Sequence, residues 1–400
     1  MKPVNHILLG VILCAAAFPA AALDFGLIVS EQFDAEDSGE LTIESKTILS
    51  PWLSFFGKKN TEYFMSAGLT GDYSEEKLHF IPELFRLEAS IAPSRAVTIK
   101  AGRIPYQDPS RFTAKGHFDG VNALVNLGRA RFSLAAFYTG LLYRDTANVS
   151  WTPGDPVDQD AEFDFANFGD TYFAPRRVLA AVQGEFPGFL TPRGNLSAGI
   201  LGQFDFSDAP DKLNSQYALF RYSLALTGGF DLALAGAAEL LESAGELDLA
   251  FAGSLEGGWM LPTAVTDRIS LACRWASGTG SAAAAFFPVT VESQGRILRP
   301  DLSGMMTVRG VYEARFLPSL AAEFGARYFF RTDSSSFSDP DLTGSSYFLG
   351  GEITGSVLWA PFSDLSFALS GGAFLPQTGS AFRDGAPVRW LVSLGTIFSL

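Results

Sequence analysis

The residues best suited to chemistry in this chain are arginines that recur at alternate positions of otherwise apolar segments. Arg309, Glu313 and Arg315 precede the turn Leu317-Pro318-Ser319, and Glu323, Arg327 and Arg331 follow it. An antiparallel hairpin about that turn brings Glu313 and Arg315 near Glu323, and Arg309 near Arg327. Comparable positions hold Arg86 with Glu88, Lys100, Arg221, Arg274 and Arg389. A guanidinium offers a planar fork of N–H donors that fits a carboxylate through two parallel hydrogen bonds. Two readings follow. Either the charges form cross-strand pairs that stiffen a wall and keep an interior wet, or the arginines form a track for an anionic solute. The interleaved glutamates dilute a purely anion-attracting track.

A second group of charges lies in 104–117. Asp108, Arg111 and Lys115 fall there, with Arg103 just before and Asp119 just after. A connection of this length either folds inward, carrying its charges to a constriction, or stays outside as an ordinary loop. Gly102-Arg103, Tyr106, Asp108, Arg111 and Phe118-Asp119-Gly120-Val121 resemble the strand–loop–strand motif of the alginate-export family of outer-membrane porins. Gly116-His117 stand where that family usually has tryptophan and arginine. The resemblance implies a barrel of about 18 strands with an arginine-lined lumen that conducts an anionic polysaccharide. It marks Arg103, Arg111 and Asp119 as functional positions.

The elements that position these residues follow from a period of two. Phe324, Ala326, Tyr328 and Phe330 fall on one face of a strand, and Glu323, Gly325 and Arg327 on the other. Such runs continue from residue 23 to Leu400, punctuated by Gly, Pro, Asp and Asn. They predict an all-β fold: a single transmembrane antiparallel up-and-down β-barrel over 23–400, with about 18 strands in a range of roughly 16 to 20. Expected strands include 96–104, 118–127, 131–142 and 388–399. Short turns at 57–60, 93–95, 128–130, 188–193, 317–319 and 361–363 alternate with mostly longer connections. These are 73–80, 104–117, 143–175, 278–302, 333–343 and 376–387, of which 143–175 and 278–302 are the long external loops. Short turns on one side and long loops on the other are the pattern of outer-membrane barrels. Aromatic residues such as Trp52, Tyr63, Trp259 and Trp359 sit beside turns, where amphipathic rings suit a membrane interface. The last strand, from Trp390 to Leu400, resembles the one recognised by the barrel-assembly machinery, with the terminal aromatic at Phe398.

Residues 1–22 read as a cleaved secretory signal, with Lys2, an apolar core from Ile7 to Ala17 and the small residues Ala20-Ala21-Ala22. Val11-Ile12-Leu13 before Cys14 match a lipidation site poorly. Loss of the leader leaves Cys273 as the one cysteine, so no intrachain disulfide is expected.

Other classes are disfavoured on chemical grounds. The net charge of −14 argues against nucleic acid as a partner. His79 and His117 stand apart from each other and from any nucleophile, which leaves little from which to build a zinc site or a catalytic dyad. Gly278-Thr279-Gly280-Ser281-Ala282-Ala283 fits a dinucleotide-loop spacing, but Pro288 interrupts the helix that should follow and no acid lies about 20 residues on. The acids of 143–175 include Asp145, Asp155, Asp158, Asp160, Glu162, Asp164 and Asp170. They lack the glycine and terminal glutamate of a calcium loop and are interleaved with Phe163, Phe165 and Phe168, so a solvated loop or lid is expected. No enzyme activity and no cofactor are expected. A soluble β-sandwich array also alternates, but it would bury its apolar face.

The expected function is a passive channel for small or anionic, including carbohydrate, solutes. Its charged lumen carries Arg86, Arg103, Asp108, Arg111, Lys115, Asp119, Arg221, Arg274, Arg309 and Arg327, with Arg103, Arg111 and Lys115 setting selectivity. Outer-membrane lipid and the assembly machinery are the other expected partners. Two alternatives remain: a fatty-acid-type transporter, which needs an apolar pocket and an N-terminal plug, and a structural or adhesive surface barrel, which needs a partner for its long loops.

Overall fold

The computed structural model describes residues 23–58, 60–74, 77–152, 154–155, 162–207, 212–279, 283–333 and 337–400. The expected leader over 1–22, with Cys14, lies outside the described residues, as do Asp158 and Asp160 of the acidic loop.

Eighteen strands form, each hydrogen-bonded antiparallel to the next. The first six are β1 (Leu23–Asp37), β2 (Leu41–Phe56), β3 (Thr61–Ser74), β4 (Lys77–Ser94), β5 (Val97–Gln107) and β6 (Lys115–Leu127). Then come β7 (Ala130–Tyr138), β8 (Arg177–Pro187), β9 (Gly194–Asp205), β10 (Leu213–Ala225), β11 (Phe230–Ser243) and β12 (Glu246–Met260). The last six are β13 (Thr266–Ala276), β14 (Met305–Leu317), β15 (Leu320–Arg331), β16 (Phe348–Trp359), β17 (Leu365–Pro376) and β18 (Arg389–Ser399). β18 pairs with β1 from Ile28↔Ser399 to Asp37↔Trp390, which closes the sheet into a barrel. Closure satisfies every strand edge, the condition for crossing a membrane with strands.

Alternation sets which side chains face out. On β15, Phe324 is 59% and Tyr328 53% exposed, whereas Phe329 and Arg331, further along the strand, are buried. Cys273 shares the outward face with Leu271 and Trp275, both exposed. At the short-turn rim, cross-strand aromatic pairs stack: Phe55 on Tyr63 at 4.7 Å, Phe230 on Trp259 at 5.1 Å and Trp359 on Phe367 at 5.6 Å.

The opposite rim departs from the expected spacing. The connection expected at 73–80 is a tight hairpin, because β3 runs to Ser74 and β4 restarts at Lys77, with Tyr73 opposite Leu78. β11 and β12 are joined by Ala244-Gly245 alone, both at positive φ, the short junction that strands expected at 229–242 and 245–261 imply. β5 and β6 extend into the expected 104–117 loop and leave only 108–114 outside the strands. β7 ends at Tyr138, earlier than expected, and the connection to β8 contains the short helices Arg144–Ala147 and Phe168–Tyr172.

Candidate functional site

Two connections of the loop rim turn onto side chains of the inner wall. Three wall side chains, Tyr217, Glu239 and Glu352, hold loop 277–304. The Tyr217 hydroxyl donates to the Phe287 carbonyl at 2.6 Å, and the Phe287 N–H donates to the Glu239 carboxylate at 2.8 Å. The N–H groups of Arg296, Ile297 and Leu298 converge on the Glu352 carboxylate at 3.0, 2.9 and 3.1 Å. Tyr217, Glu239 and Glu352 are all buried beneath the loop.

The 108–114 loop is organised by one side chain. The Asp108 carboxylate accepts N–H bonds from Ser110 at 2.7 Å, Arg111 at 3.1 Å, Thr113 at 3.1 Å and Ala114 at 2.8 Å. This tight wrap places Arg111 at φ +72°, in the left-handed region, and turns its side chain into the lumen. The two loops then join. The Thr113 carbonyl accepts from Val289 N at 2.8 Å and Thr290 N at 3.2 Å, and Lys115 N donates to Thr290 Oγ1 at 3.0 Å. A third segment completes the partition: Val291 N bonds to Asn148 O at 2.7 Å, and Ser150 N to Val289 O at 3.0 Å. Phe286 is fully buried between Phe112 and Tyr217, within an apolar cluster that continues to Ile104, Phe118, Phe137 and Leu179.

Beside this partition lies a cavity of about 680 Å³. Seven arginines line it: Arg111, Arg193, Arg221, Arg268, Arg274, Arg309 and Arg327. Four carboxylates oppose them: Asp231, Glu256, Glu292 and Glu313. Several charges are paired: Arg221 with Glu256 at 2.7 Å, Arg268 with Asp231 at 2.8 Å, Arg274 with Glu292 at 3.0 Å and Arg309 with Glu323 at 2.9 Å. Among the described residues, no carboxylate lies within 4.0 Å of the Arg111, Arg193 or Arg327 guanidinium. Arg309 stands directly opposite Arg327 and Glu313 opposite Glu323, the register that the hairpin about Pro318 implies.

Arg111, Arg221, Arg274, Arg309 and Arg327 therefore meet in one cavity, and Lys115 reaches Glu292 at 3.4 Å. Arg86 lies elsewhere on the wall and shares Glu88 with Lys100, at 2.6 and 2.7 Å. Arg103, Asp108 and Asp119 do not present free charge to the lumen. Arg103 is 5% exposed and holds both oxygens of Asp119, at 2.9 and 2.7 Å. Two further N–H groups donate to the carbonyls of Leu84 and Leu141. Asp108 is spent on the backbone of its own loop. Gly102 explains part of this arrangement: at φ +113°, a Cβ there would lie 2.0 Å from the Leu87 carbonyl, so only glycine lets β4 and β5 approach this closely next to Arg103.

Several functional positions escaped the sequence reading. Arg268 alternates with Ser270, Ala272 and Arg274, and that period could have found it. Glu239 and Glu352 also sit at alternate positions of β11 and β16, but their role, like that of Glu292 and Arg296, arises from a loop folding back on the wall. The buried Arg177, which joins Asp155 at 2.5 Å and Asp205 at 2.9 Å, escaped for the same reason.

In the described part of the connection between β7 and β8, aromatic rings pack together. Tyr143, Phe163, Phe168, Tyr172 and Phe173 pack ring on ring, with Phe168 stacked on Tyr172 at 4.5 Å. Burial and then the charge of Glu83 push the Tyr172 hydroxyl up to about 12. Among the described residues, no group of three His, Cys, Asp or Glu side chains could hold a metal ion. Asp339 meets Arg389 through two bonds of 2.6 and 2.7 Å. Burial opposes ionisation of Asp339, but the Arg389 and Asp341 N–H bonds outweigh it and hold the carboxyl below its ordinary range.

No protein-family model matches the chain, and no curated protein sequence matches it. Solved structures do. The outer membrane protein OprD from Pseudomonas aeruginosa superposes with a TM-score of 0.58 at 13% identity, covering 94% of this chain and 93% of that one. Pseudomonas aeruginosa OpdQ gives 0.61 at 10% identity, covering 95% and 99%. OccK2 (OpdF) of the same organism gives 0.61 at 12% identity, covering 94% and 97%. At these identities the likeness concerns architecture: the chain has the closed 18-stranded antiparallel barrel fold and is similar over nearly its whole length to these Pseudomonas barrels.

Proposed function

We propose that this chain is a passive channel of the outer membrane that admits small anionic solutes. The observation that carries the reading is the lumenal cavity in which seven arginines face four carboxylates. Low-dielectric walls around a cation-rich opening focus the field and concentrate anions. Several weak sites in succession let a solute leave as readily as it arrives. Arg111, Arg221, Arg274, Arg309 and Arg327 are the solute-facing cations, with Lys115 beside them. Arg86, Arg103, Asp108 and Asp119 hold wall and loop.

The remaining expectations fit the same reading. Residues 1–22 act as the export signal, the last strand engages the assembly machinery, and the apolar outer face sits in outer-membrane lipid. The likeness to an outer membrane protein of Pseudomonas aeruginosa supports the compartment. The motif at 102–121, which resembles alginate exporters, supports an anionic cargo class that includes acidic carbohydrates. A fatty-acid-type transporter needs an apolar pocket in the lumen, and this cavity is lined by charge.

The test is conductance of the purified protein in planar bilayers under a potassium chloride gradient. Stable channels with a reversal potential on the anion side are expected. Folded protein without channel events overturns the channel, and a cation-side reversal overturns the anion preference alone.

A further inference from the structure

Glu292 stands at an unusual place among the lumenal charges. It belongs to loop 277–304, not to the wall, and it pairs with two cations from different elements: Arg274 of β13 at 3.0 Å and Lys115 of β6 at 3.4 Å. Its side chain is 40% exposed and borders the cavity that also holds Arg111 and Arg327, which have no carboxylate partner among the described residues. The loop is fixed without it, because Phe287 is held by Glu239 and Tyr217, and residues 296–298 are held by Glu352. The Glu292 carboxylate can therefore leave its partners while the backbone stays in place.

Resting on the channel reading above, we infer that Glu292 is a tethered surrogate for the carboxylate of a passing solute. It keeps Arg274 and Lys115 paired while the lumen is empty and is exchanged for the carboxylate of a solute as that solute passes. The exchange replaces one ion pair by another, so Arg274 is at no stage desolvated without a partner, a state that is costly for a half-buried charge. It also weakens solute binding by the free energy of the internal pair, which speeds release. A carboxylate bound too tightly would block the channel. The solute class is a small carboxylate, whose two oxygens can reproduce what Glu292 offers.

The test uses block of single-channel chloride current by sodium benzoate, comparing wild type, Glu292→Gln and Glu313→Gln. Glu313 lines the same cavity, so Glu313→Gln removes the same unit charge without freeing Arg274. Glu292→Gln is expected to lower the half-blocking benzoate concentration about fivefold, the scale of one partly exposed ion pair. Glu313→Gln is expected to lower it by no more than about twofold, the through-space effect alone. Equal shifts in the two variants overturn the inference in favour of net charge. An unchanged or raised half-blocking concentration in Glu292→Gln overturns it outright. A wild-type barrel that does not conduct overturns the channel reading and this inference together, whereas a conducting wild type with an unresponsive Glu292→Gln overturns this inference alone.

Discussion

Arg103 and Asp119 face each other across β5 and β6 and meet through two parallel hydrogen bonds of 2.9 and 2.7 Å. With two further N–H groups on Leu84 O and Leu141 O, Arg103 ties two neighbouring strands and the start of the 139–176 connection to one point. Removing one member leaves the other charge buried and alone, which costs about 3–5 kcal/mol. Asp119→Asn is therefore expected to lower the urea midpoint of the detergent-solubilised barrel markedly and to leave ion selectivity nearly as it was. A selectivity change without loss of stability would place the pair among the solute contacts instead.

Glu352 makes a different prediction. Its carboxylate gathers three consecutive N–H groups of loop 277–304. Hydrogen bonds to a charged acceptor are worth roughly 1.5–3 kcal/mol each, so Glu352→Ala should loosen this anchor by several kcal/mol. The barrel wall does not depend on that anchor, so folding should survive. Single channels should show larger and noisier conductance as the loop leaves the lumen. A variant with quiet, wild-type conductance would mean that the Tyr217 and Glu239 contacts suffice to hold the loop.

Asp339 gives the pH dependence. Its carboxyl is held below the ordinary range against the opposing effect of burial, chiefly by hydrogen bonds from Arg389. A depressed carboxyl stabilises the folded state above its unfolded value, near pH 4, and that contribution is lost as the pH falls through the lower, folded value. Amide exchange in residues 337–347 should therefore accelerate in acid below about pH 4, and Asp339→Asn should abolish the acid-dependent part. Acid dependence of equal size in the variant would assign it to another group.

The wall of this barrel was legible in the sequence. Every expected strand is present, because burial on one face and exposure on the other write a period of two into each segment. The pairing of Arg309 with Arg327 followed from that period and one proline turn. What decides the bore was not legible. Thr113 bonds to Val289 and Asn148 to Val291, contacts between irregular segments that carry no periodic signal. Arg103 read as a solute contact because the resemblance at 102–121 marks it, and only the fold shows that Asp119, Leu84 and Leu141 occupy its donors. The hairpin at Ser74 and Lys77 was read as a longer loop because its polar strand ends look like connection residues.

The partition formed by residues 108–114, 148–150 and 289–291 is thin compared with the barrel that carries it. In a conducting pore of this shape most of the electrical resistance resides at the partition, and so does most of an applied voltage drop. A charge there experiences much of the transmembrane field, which is worth about 2.3 kcal/mol per elementary charge for each full 100 mV crossed. Arg111 and Glu292, which border the cavity beside the partition, stand in that steep region. Position along the axis, more than the number of charges, thus sets which residues a membrane potential can move.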